Sequence, residues 1–191
     1  MTHLLNEPVK RMLAYLNSIF PVSAGLSEDL VEAVTYGSLK KGDYLLKAGE
    51  ICKHVYFVDH GLLRVFNLYE DSDTKEEIDW SREFFRENEV CLMLQDFCNP
   101  SPSEDGIQAL ESTELICISD DDVKRIVERH KELMLFGPLI PEKYLVAQAD
   151  KMKLVRLLEP AERSEALREM DPDLVKRVPG KYLFTYLHIW I

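Results

Sequence analysis

Residues 39–50 read LKKGDYLLKAGE, and VYFV at 55–58 and HGLLRV at 60–65 follow closely. Short runs of leucine, β-branched and aromatic residues alternate here with turns that contain glycine. Glycine reaches positive φ at no steric cost, so Gly42 marks a tight turn between two strands. The same texture extends over residues 38–119 and predicts a small all-β barrel or sandwich.

The clearest predicted strand runs from Leu62 to Tyr69. Its alternating positions place apolar side chains such as Phe66 on one face, and Leu63 and Val65 on the other. Because both faces are largely apolar, we expect this strand to be covered on both sides.

Both ends of the β-rich segment are predicted to be helical. Apolar residues recur at spacings of three and four before Pro21, and Ser27 can cap a second short helix. After the strands, Ser119 is a suitable N-cap because three aspartates follow it in the first turn. The helices predicted from there onwards cover residues 119–130, 141–158, 161–170 and 179–187.

The longest of these helices carries an apolar seam. Leu145, Gln148, Met152 and Val155 follow one another at spacings of three and four residues. A stripe of that period can pair with a copy of itself, as in a coiled coil. We therefore expect a homodimer through this helix, with packing of the stripe on the chain's own strands as the alternative.

Length and composition indicate a sizeable core and no membrane span. The chain has 191 residues, of which 46% are hydrophobic and 30% charged. A chain of this size buries roughly 70% of the surface that its unfolded form exposes. No apolar run approaches the roughly 20 residues that cross a bilayer, and the first residues lack a secretion pattern. We expect a cytoplasmic protein with no membrane partner.

The net charge of −11 is unevenly distributed. Residues 1–150 contain 15 Lys and Arg against 28 Asp and Glu, which gives −13, whereas residues 151–191 carry +2. Phosphate contacts supply most of the non-specific binding of proteins to nucleic acids. Any contact with DNA is therefore expected in the C-terminal part.

The glycine-punctuated strands resemble the opening half of a cyclic-nucleotide-binding-type barrel in the Crp/Fnr superfamily of bacterial transcription regulators. The order of the predicted elements agrees with that family. The resemblance implies an α+β fold, in which a jelly-roll β-barrel carries flanking helices, a long dimerisation helix and a partial C-terminal winged-helix segment. It implies an effector domain at 1–136, a dimerisation helix at 137–159 and an incomplete helix-turn-helix domain at 160–191.

The departures from this family indicate that the effector is not cyclic AMP. The family's phosphate cassette begins with Gly-Glu-Leu, where this chain has Asn88-Glu89-Val90, and Glu89 could still accept a ribose hydroxyl. The second half of the cassette falls at residues 103–106, which contain Glu104 and Asp105 and no arginine to clamp a phosphate. We expect an unknown small-molecule effector in a pocket formed by Arg64, Glu89, Val90, Ser103 and Gln108.

The C-terminal residues resemble the first helix of the family's helix-turn-helix. Residues 178–187 match this helix, and His188 stands where the family has glycine. The sequence stops four residues after Leu187, so we expect it to lack the recognition helix that reads bases. Natural truncation, a frameshift and a fragment all fit this pattern. Candidate phosphate contacts, with a solvated surface as the alternative, are Lys176, Arg177 and Lys181.

Other chemistry has weaker signals. His54 and His60 lie six apart on one predicted strand and share a face, which gives a weak metal-site hypothesis against an interpretation as surface histidines. Cys91 and Cys98 could form a thiol switch, but the four cysteines form no CxxC pair and free buried thiols are the simpler interpretation. No Ser-His-Asp, P-loop or GxGxxG pattern occurs, so we expect neither an enzyme nor a cofactor.

Together these features predict a Crp/Fnr-type transcriptional regulator with a sensing barrel, a dimerisation helix and an incomplete DNA-binding end. The alternative is a ligand-binding or protein-interaction module with no direct role at DNA. An open reading frame that continues into a recognition helix would favour the first hypothesis.

Overall fold

A computed structural model describes residues 6–70, 75–93, 101–136 and 138–189. The strands in these residues are β1 (Thr35–Leu39), β2 (Tyr44–Leu46), β3 (His54–His60), β4 (Leu63–Glu70), β5 (Glu77–Phe85), β6 (Glu89–Cys91), β7 (Asp105–Ala109) and β8 (Thr113–Ser119). The helices are α1 (Glu7–Ile19), α2 (Ala24–Ala33), α3 (Asp120–Arg129), α4 (Glu132–Phe136), α5 (Leu139–Val155), α6 (Pro160–Met170), α7 (Pro172–Arg177) and α8 (Gly180–Tyr186).

The strands form two antiparallel four-stranded sheets that pack face to face. The first sheet has the order β1-β8-β3-β6 and the second the order β2-β7-β4-β5. The predicted α+β jelly-roll with flanking helices is confirmed. The prediction of a closed barrel is wrong, because the described strands of the two sheets do not pair with each other. Helices cover the outer faces, so burial of both sheets does not require closure.

An apolar core fills the space between the sheets. Both sheets contribute to it, because alternate residues along each strand point inwards. Representative members, each at most 3% exposed, are Val58, Leu63, Val65, Ile107 and Leu115.

Helices cover the outer face of each sheet. On the first sheet, Phe57 and Ile116 pack into a cluster with α1, α2 and α3. On the second sheet, Leu62, Phe84 and Leu110 pack against α6, α7 and α8. The C-terminal helices therefore share one apolar cluster with the second sheet.

N-caps explain where two of the helices begin. Ser119 Oγ accepts a hydrogen bond from the Asp122 N–H at 3.1 Å and starts α3 as predicted. Helix α2 begins earlier than predicted, because its cap is Ser23 and not Ser27. Ser23 Oγ accepts from the Leu26 N–H at 3.3 Å.

Strand β4 is covered on both faces only over its first half. Residues 63–66 are buried, whereas Leu68 and Tyr69 are exposed. The prediction of a strand covered along its whole length is therefore wrong at the C-terminal end. The reason is that β7 pairs with β4 only as far as Asn67.

Helix α5 ends at Val155, short of the predicted end at Leu158. A turn separates it from α6, which starts at Pro160, a residue whose ring suits the first position of a helix. Among the described residues, neither α5 nor any other helix is long and apolar enough to span a bilayer.

Candidate effector site

A cavity of about 490 Å³ lies between the end of β5 and the C-terminal helices. Its volume falls in the range of small-molecule sites, roughly 300–1,000 Å³. One wall is the connection from β5 to β6, and the opposite wall comes from α5, α6, α7 and α8. We call this space the junction cavity. Its charged lining residues are Glu83, Arg86, Glu87, Glu89, Asp150 and Asp171.

The turn between β5 and β6 takes its shape from Asn88. Asn88 has a φ of +63°, which asparagine and glycine adopt more readily than other residues. Its N–H donates to the Val58 carbonyl oxygen at 2.9 Å, and the Arg86 N–H donates to Glu89 Oε2 at 2.8 Å. The left-handed backbone at position 88 therefore suits asparagine or glycine.

Two consecutive residues of this turn form ion pairs with helix α7. Arg86 donates two hydrogen bonds to the carboxylate of Asp171, the N-cap of α7, and the bond from Nη1 to Oδ1 measures 3.0 Å. Glu87 accepts from both Nη atoms of Arg177 at 2.8 and 2.9 Å. The turn supplies the positive group in one pair and the negative group in the other. Only one register of turn and helix therefore satisfies both pairs. We call these four residues the turn-helix clamp.

All three guanidinium nitrogens of Arg177 donate hydrogen bonds. Besides Glu87, the acceptors are both carboxylate oxygens of Glu111, the Gly61 carbonyl oxygen and Asp173 Oδ2. The Arg177 guanidinium lowers the pKa of Glu87 to about 2. Arg177 therefore connects α7 to three separate turns or strands of the second sheet and its neighbours.

Glu83 is a buried acid in the wall of the junction cavity, with 8% of its surface exposed. Its carboxylate accepts hydrogen bonds from the Phe84 N–H at 3.2 Å and from the side-chain amide of Gln148. Burial raises the pKa of Glu83 to about 7. Nearby, Lys151 donates to the Arg82 carbonyl oxygen at 2.9 Å, and burial lowers the pKa of Lys151 to about 8.

The electrostatic character of the junction cavity is negative. Its lining holds five carboxylates and one guanidinium, and that guanidinium is already paired with Asp171. Burial also raises the pKa of Glu89, whose Oε1 lies 3.8 Å from Arg86 Nε. The lining therefore favours a cationic or neutral occupant over an anion.

The structure separates the five predicted pocket residues. Glu89 and Val90 line the junction cavity. Arg64 and Gln108 bind each other on the second sheet, and Ser103 is buried with its hydroxyl accepting from a neighbouring backbone N–H. These three residues do not line the cavity, and their role in effector binding stays a prediction.

Arg64 is fully buried and attaches α8 to the second sheet. It donates two hydrogen bonds to Asp79 at 2.5 and 2.9 Å and one to Gln108 at 3.0 Å. Its Cζ lies 4.4 Å from the centre of the Phe66 ring and 3.7 Å from that of Tyr182 on α8. These contacts satisfy both Nη groups, whereas Nε is buried without a hydrogen-bond partner among the described residues.

The predicted seam of α5 is split between two environments. Gln148 donates to Glu83 and so faces the chain's own second sheet. Leu145 and Met152 are 63% and 49% exposed, and Val155 is half-buried. The homodimer stays a prediction, and Leu145 and Met152 are the seam residues that are open to a partner.

The three predicted phosphate contacts differ in availability. Lys176 and Lys181 are exposed. Arg177 would first have to leave the carboxylates of Glu87 and Glu111. Contact with DNA stays a prediction for all three residues.

The described cysteines are buried or partly buried thiols of low reactivity. Cys52 and Cys91 are buried and Cys117 is partly buried. Burial raises the pKa of the Cys91 thiol far above its usual range and that of Cys117 to about 11. These thiols are therefore weak nucleophiles. Cys98 lies outside the described residues, and with it the predicted pair of Cys91 and Cys98.

One group of metal-ligand types occurs on the first sheet. Ligand atoms of Asp59, His60 and Glu114 lie within 4.8 Å of one another, since His60 faces Glu114 across strands β3 and β8. His54, the predicted companion of His60, is not in this group. Arg11 donates to both Asp59 oxygens at 2.7 and 2.8 Å and supplies the compensating positive charge. We assign no metal to this group.

Sequence reasoning missed most of the charged lining of the junction cavity. A local signal was present, because Glu83 and Arg86 flank the aromatic pair Phe84 and Phe85 in a strand that must be largely buried. The pairing of Arg86 with Asp171 spans 85 positions and leaves no local signal.

Comparisons with known proteins agree with this architecture. Residues 37–130 match the family model described as cyclic nucleotide-binding domain. Residues 37–130 have the fold of that domain. The matched family is a regulatory domain and is typically not an enzyme.

Solved structures of similar fold include Crp/Fnr-type regulators. FixK2 from Bradyrhizobium japonicum matches with a TM-score of 0.66 and 18% identity, over 82% of this chain and 78% of that chain. The sensor domain of the transcriptional regulator DNR from Pseudomonas aeruginosa matches with a TM-score of 0.57 and 18% identity, over 81% and 99%. A cyclic nucleotide-binding domain from Methylobacillus flagellatus matches at 0.63 and 14% identity, over 83% and 91%. At these identities the similarity shows the fold.

Proposed function

We propose that this chain is the effector-sensing part of a Crp/Fnr-type transcriptional regulator whose effector is not a cyclic nucleotide. The observation that carries the proposal is the position of the junction cavity. Its walls are the cassette turn between β5 and β6 on one side and the C-terminal helices on the other. An occupant therefore touches both the sensing sheets and the segment that resembles the family's DNA-binding end.

The charges around the cavity argue against a cyclic nucleotide. A phosphate needs an unpaired arginine or several free N–H donors. Arg86, the arginine in the cavity lining, is paired with Asp171, and Arg64 is buried against Asp79. The buried charged residues on the inner face of the second sheet are also acids, since Asp105 lies two positions before Ile107 and Glu83 two before Phe85, and Asp105 is paired with Arg82.

The turn-helix clamp gives the proposed route from effector to C-terminal helices. Both clamp pairs join the cassette turn to α7, and Asp171 also caps that helix. An occupant that moves the turn would pull on both ends of α7 at once. In this scheme residues 1–136 sense the effector, residues 137–159 form the dimerisation helix, and residues 160–191 transmit the signal towards DNA.

The proposed dimer partner is a second copy of the chain, bound through α5. Leu145 and Met152 are seven positions apart, which places them on one side of the helix, and both are exposed. Val146 adds further exposed apolar surface. The family resemblance and this exposed stripe together support the dimer.

A second candidate function is a ligand-binding or protein-interaction module with no direct role at DNA. The engagement of Arg177 with Glu87 and Glu111 favours it, because Lys176 and Lys181 are then the remaining candidate phosphate contacts. Under this alternative the same cavity binds an effector, but the C-terminal helices contact another protein.

Hydrogen exchange of two aspartate variants tests the proposed route. Asp171→Asn removes the charge that binds Arg86, yet asparagine is still a good N-cap. Asp173→Asn is the control, because Asp173 is exposed and its contacts with Arg86 and Arg177 are long, at 3.6 and 3.4 Å.

We expect Asp171→Asn to speed amide exchange in α6, α7 and α8 by about tenfold or more while exchange in β3 and β8 is unchanged. The control should change exchange by less than about threefold. Equal exchange in the wild type and Asp171→Asn would overturn the proposed route.

A further inference from the structure

Two acids in the junction cavity have no positive group within hydrogen-bond distance among the described residues. Of the five lining carboxylates, Asp171 pairs with Arg86, Glu87 with Arg177, and Asp150 with Lys153. The remaining two are Glu83, which has Lys151 nearby, and Glu89, whose Oε1 lies 3.8 Å from Arg86 Nε.

Glu83 carries the larger penalty of the two. Its described hydrogen-bond donors are neutral groups, the Phe84 N–H and the Gln148 amide, and it is buried. Lys151 offsets only part of the cost of burying this carboxylate, because burial has the larger effect and raises its pKa. An incoming positive charge would recover part of that cost.

Aromatic side chains complete the lining. Tyr15, Tyr144 and Tyr186 come from α1, α5 and α8 and all line the cavity. Aromatic rings attract cations through the negative charge of their faces. The molecule already contains one such contact here, since Lys151 Nζ lies 4.2 Å from the centre of the Tyr186 ring.

We propose that the junction cavity binds a small organic cation, an amine with an apolar or aromatic body, whose ammonium group pairs with Glu83. The aromatic side chains hold the apolar body, and Glu89 adds a second negative charge. A cavity of about 490 Å³ has room for such a molecule. This inference rests on the proposed function, because it names the chemical class of the effector.

A charge series of similar probes tests the proposal on the full 191-residue chain. The probes are 2-phenylethylamine, 2-phenylethanol and phenylacetate, which carry a cationic, a neutral and an anionic group on the same phenyl body. Calorimetry at pH 8 measures the three dissociation constants, and thermal unfolding with each probe gives an independent ranking. We expect the amine to bind at least tenfold more tightly than the alcohol, and phenylacetate to bind more weakly than the alcohol.

Two variants locate the site. Glu83→Gln should weaken amine binding about tenfold or more while binding of the alcohol is unchanged, which also shows that the variant is folded. Glu77→Gln, on the same strand but exposed, is the control and should leave all three dissociation constants unchanged.

The outcomes separate this inference from the proposed function. Equal affinities for the amine and the alcohol, no amine binding up to 10 mM, or full amine binding by Glu83→Gln would each overturn the cation preference. Binding of the alcohol alone would leave the proposed sensing role standing. A separate titration with cyclic AMP addresses that role, because tight binding there would overturn the proposed function instead.

Discussion

The space between the two sheets and the junction cavity beside the second sheet are built from opposite chemistry. Between the sheets, residues such as Leu63 and Ile107 are buried in a large apolar cluster. The junction cavity has charged side chains on both walls, and one of them, Glu83, is buried at a cost in free energy.

This difference shows where the fold gives up stability for a site. Buried groups with strongly shifted pKa values cluster at functional sites. The core between the sheets should therefore respond to changes in side-chain volume, and the junction cavity to changes in charge and pH.

The largest expected effect is in the core between the sheets. Ile107→Ala should lower the free energy of unfolding by about 4 kcal/mol, because it removes a fully buried side chain and leaves a cavity. The loss should be the same at pH 5 and pH 8. Urea denaturation measures it, with Ile51→Ala at an exposed position as the control, expected to cost less than about 0.5 kcal/mol. A loss below about 1 kcal/mol for Ile107→Ala would contradict a closely packed core.

The next effect concerns the turn-helix clamp. Arg177→Gln should lower the free energy of unfolding at pH 7 by about 3 kcal/mol, because it leaves Glu87 and Glu111 without their cation. Lys176→Gln is the matched control at an exposed neighbouring position and should have little effect. Similar losses for the two variants would show that the clamp is a surface ion pair of little weight.

The clamp also has an acid limit. Arg177 lowers the pKa of Glu87 in the folded protein, so the stabilisation from Glu87 is present above its unfolded pKa of 4.5. It is lost as the pH falls towards about 2. The difference between the wild type and Arg177→Gln should therefore shrink over this range in urea denaturation. A difference that stays constant would contradict the ion pair.

Glu83, the buried acid of the junction cavity, predicts that stability changes with pH in the direction opposite to that of the clamp. The folded pKa of Glu83, about 7, lies above its unfolded value of 4.5, so folding favours the protonated form. Relative to Glu83→Gln, the wild type should lose about 2 kcal/mol of stability between pH 5 and pH 7. The groups that face position 83 are the same in both proteins, namely Lys151, Glu89 and Gln148. Parallel curves of unfolding free energy against pH for the two proteins would mean that burial does not raise the pKa of Glu83.

The smallest expected effect on the stability of the folded chain comes from a substitution on α5. Met152→Asp should change the stability of the monomer by less than about 0.5 kcal/mol, because Met152 is half-exposed. It should nevertheless dissociate the proposed dimer, since a charge buried without a partner in an interface is costly. Sedimentation at micromolar concentration distinguishes dimer from a 22.1 kDa monomer, with Lys153→Asp as a control on the neighbouring position. A wild type that sediments as a monomer would contradict the proposed dimer.

Local signals predicted much of the fold. Turn glycines and the Ser119 cap carry their information within a few residues, and the corresponding strands and helix were predicted correctly. The predictions failed where two local signals compete, or where contacts between residues distant in sequence determine the structure. Ser23 and Ser27 are both good caps, and closure of a barrel depends on pairing between strand edges far apart in sequence.

The site was less predictable for the same reason. Glu89 and Val90 lie in the stretch that resembles the family's cassette, and both line the cavity. Arg64 belongs to a strand with two apolar faces, so its sequence could not show that Leu63 and Val65 point inwards while Arg64 points to α8. The clamp pairs join residues that the chain brings together only after the C-terminal helices dock.

Calorimetric titration of cyclic AMP into the full chain tests the central claim most directly. The account predicts no saturable binding up to about 1 mM, because the lining of the junction cavity is negative and Arg86 is already paired with Asp171. Arg86→Gln should behave like the wild type in this titration. A micromolar or tighter dissociation constant would contradict the account, and its loss in Arg86→Gln would show that Arg86 leaves Asp171 to bind a phosphate.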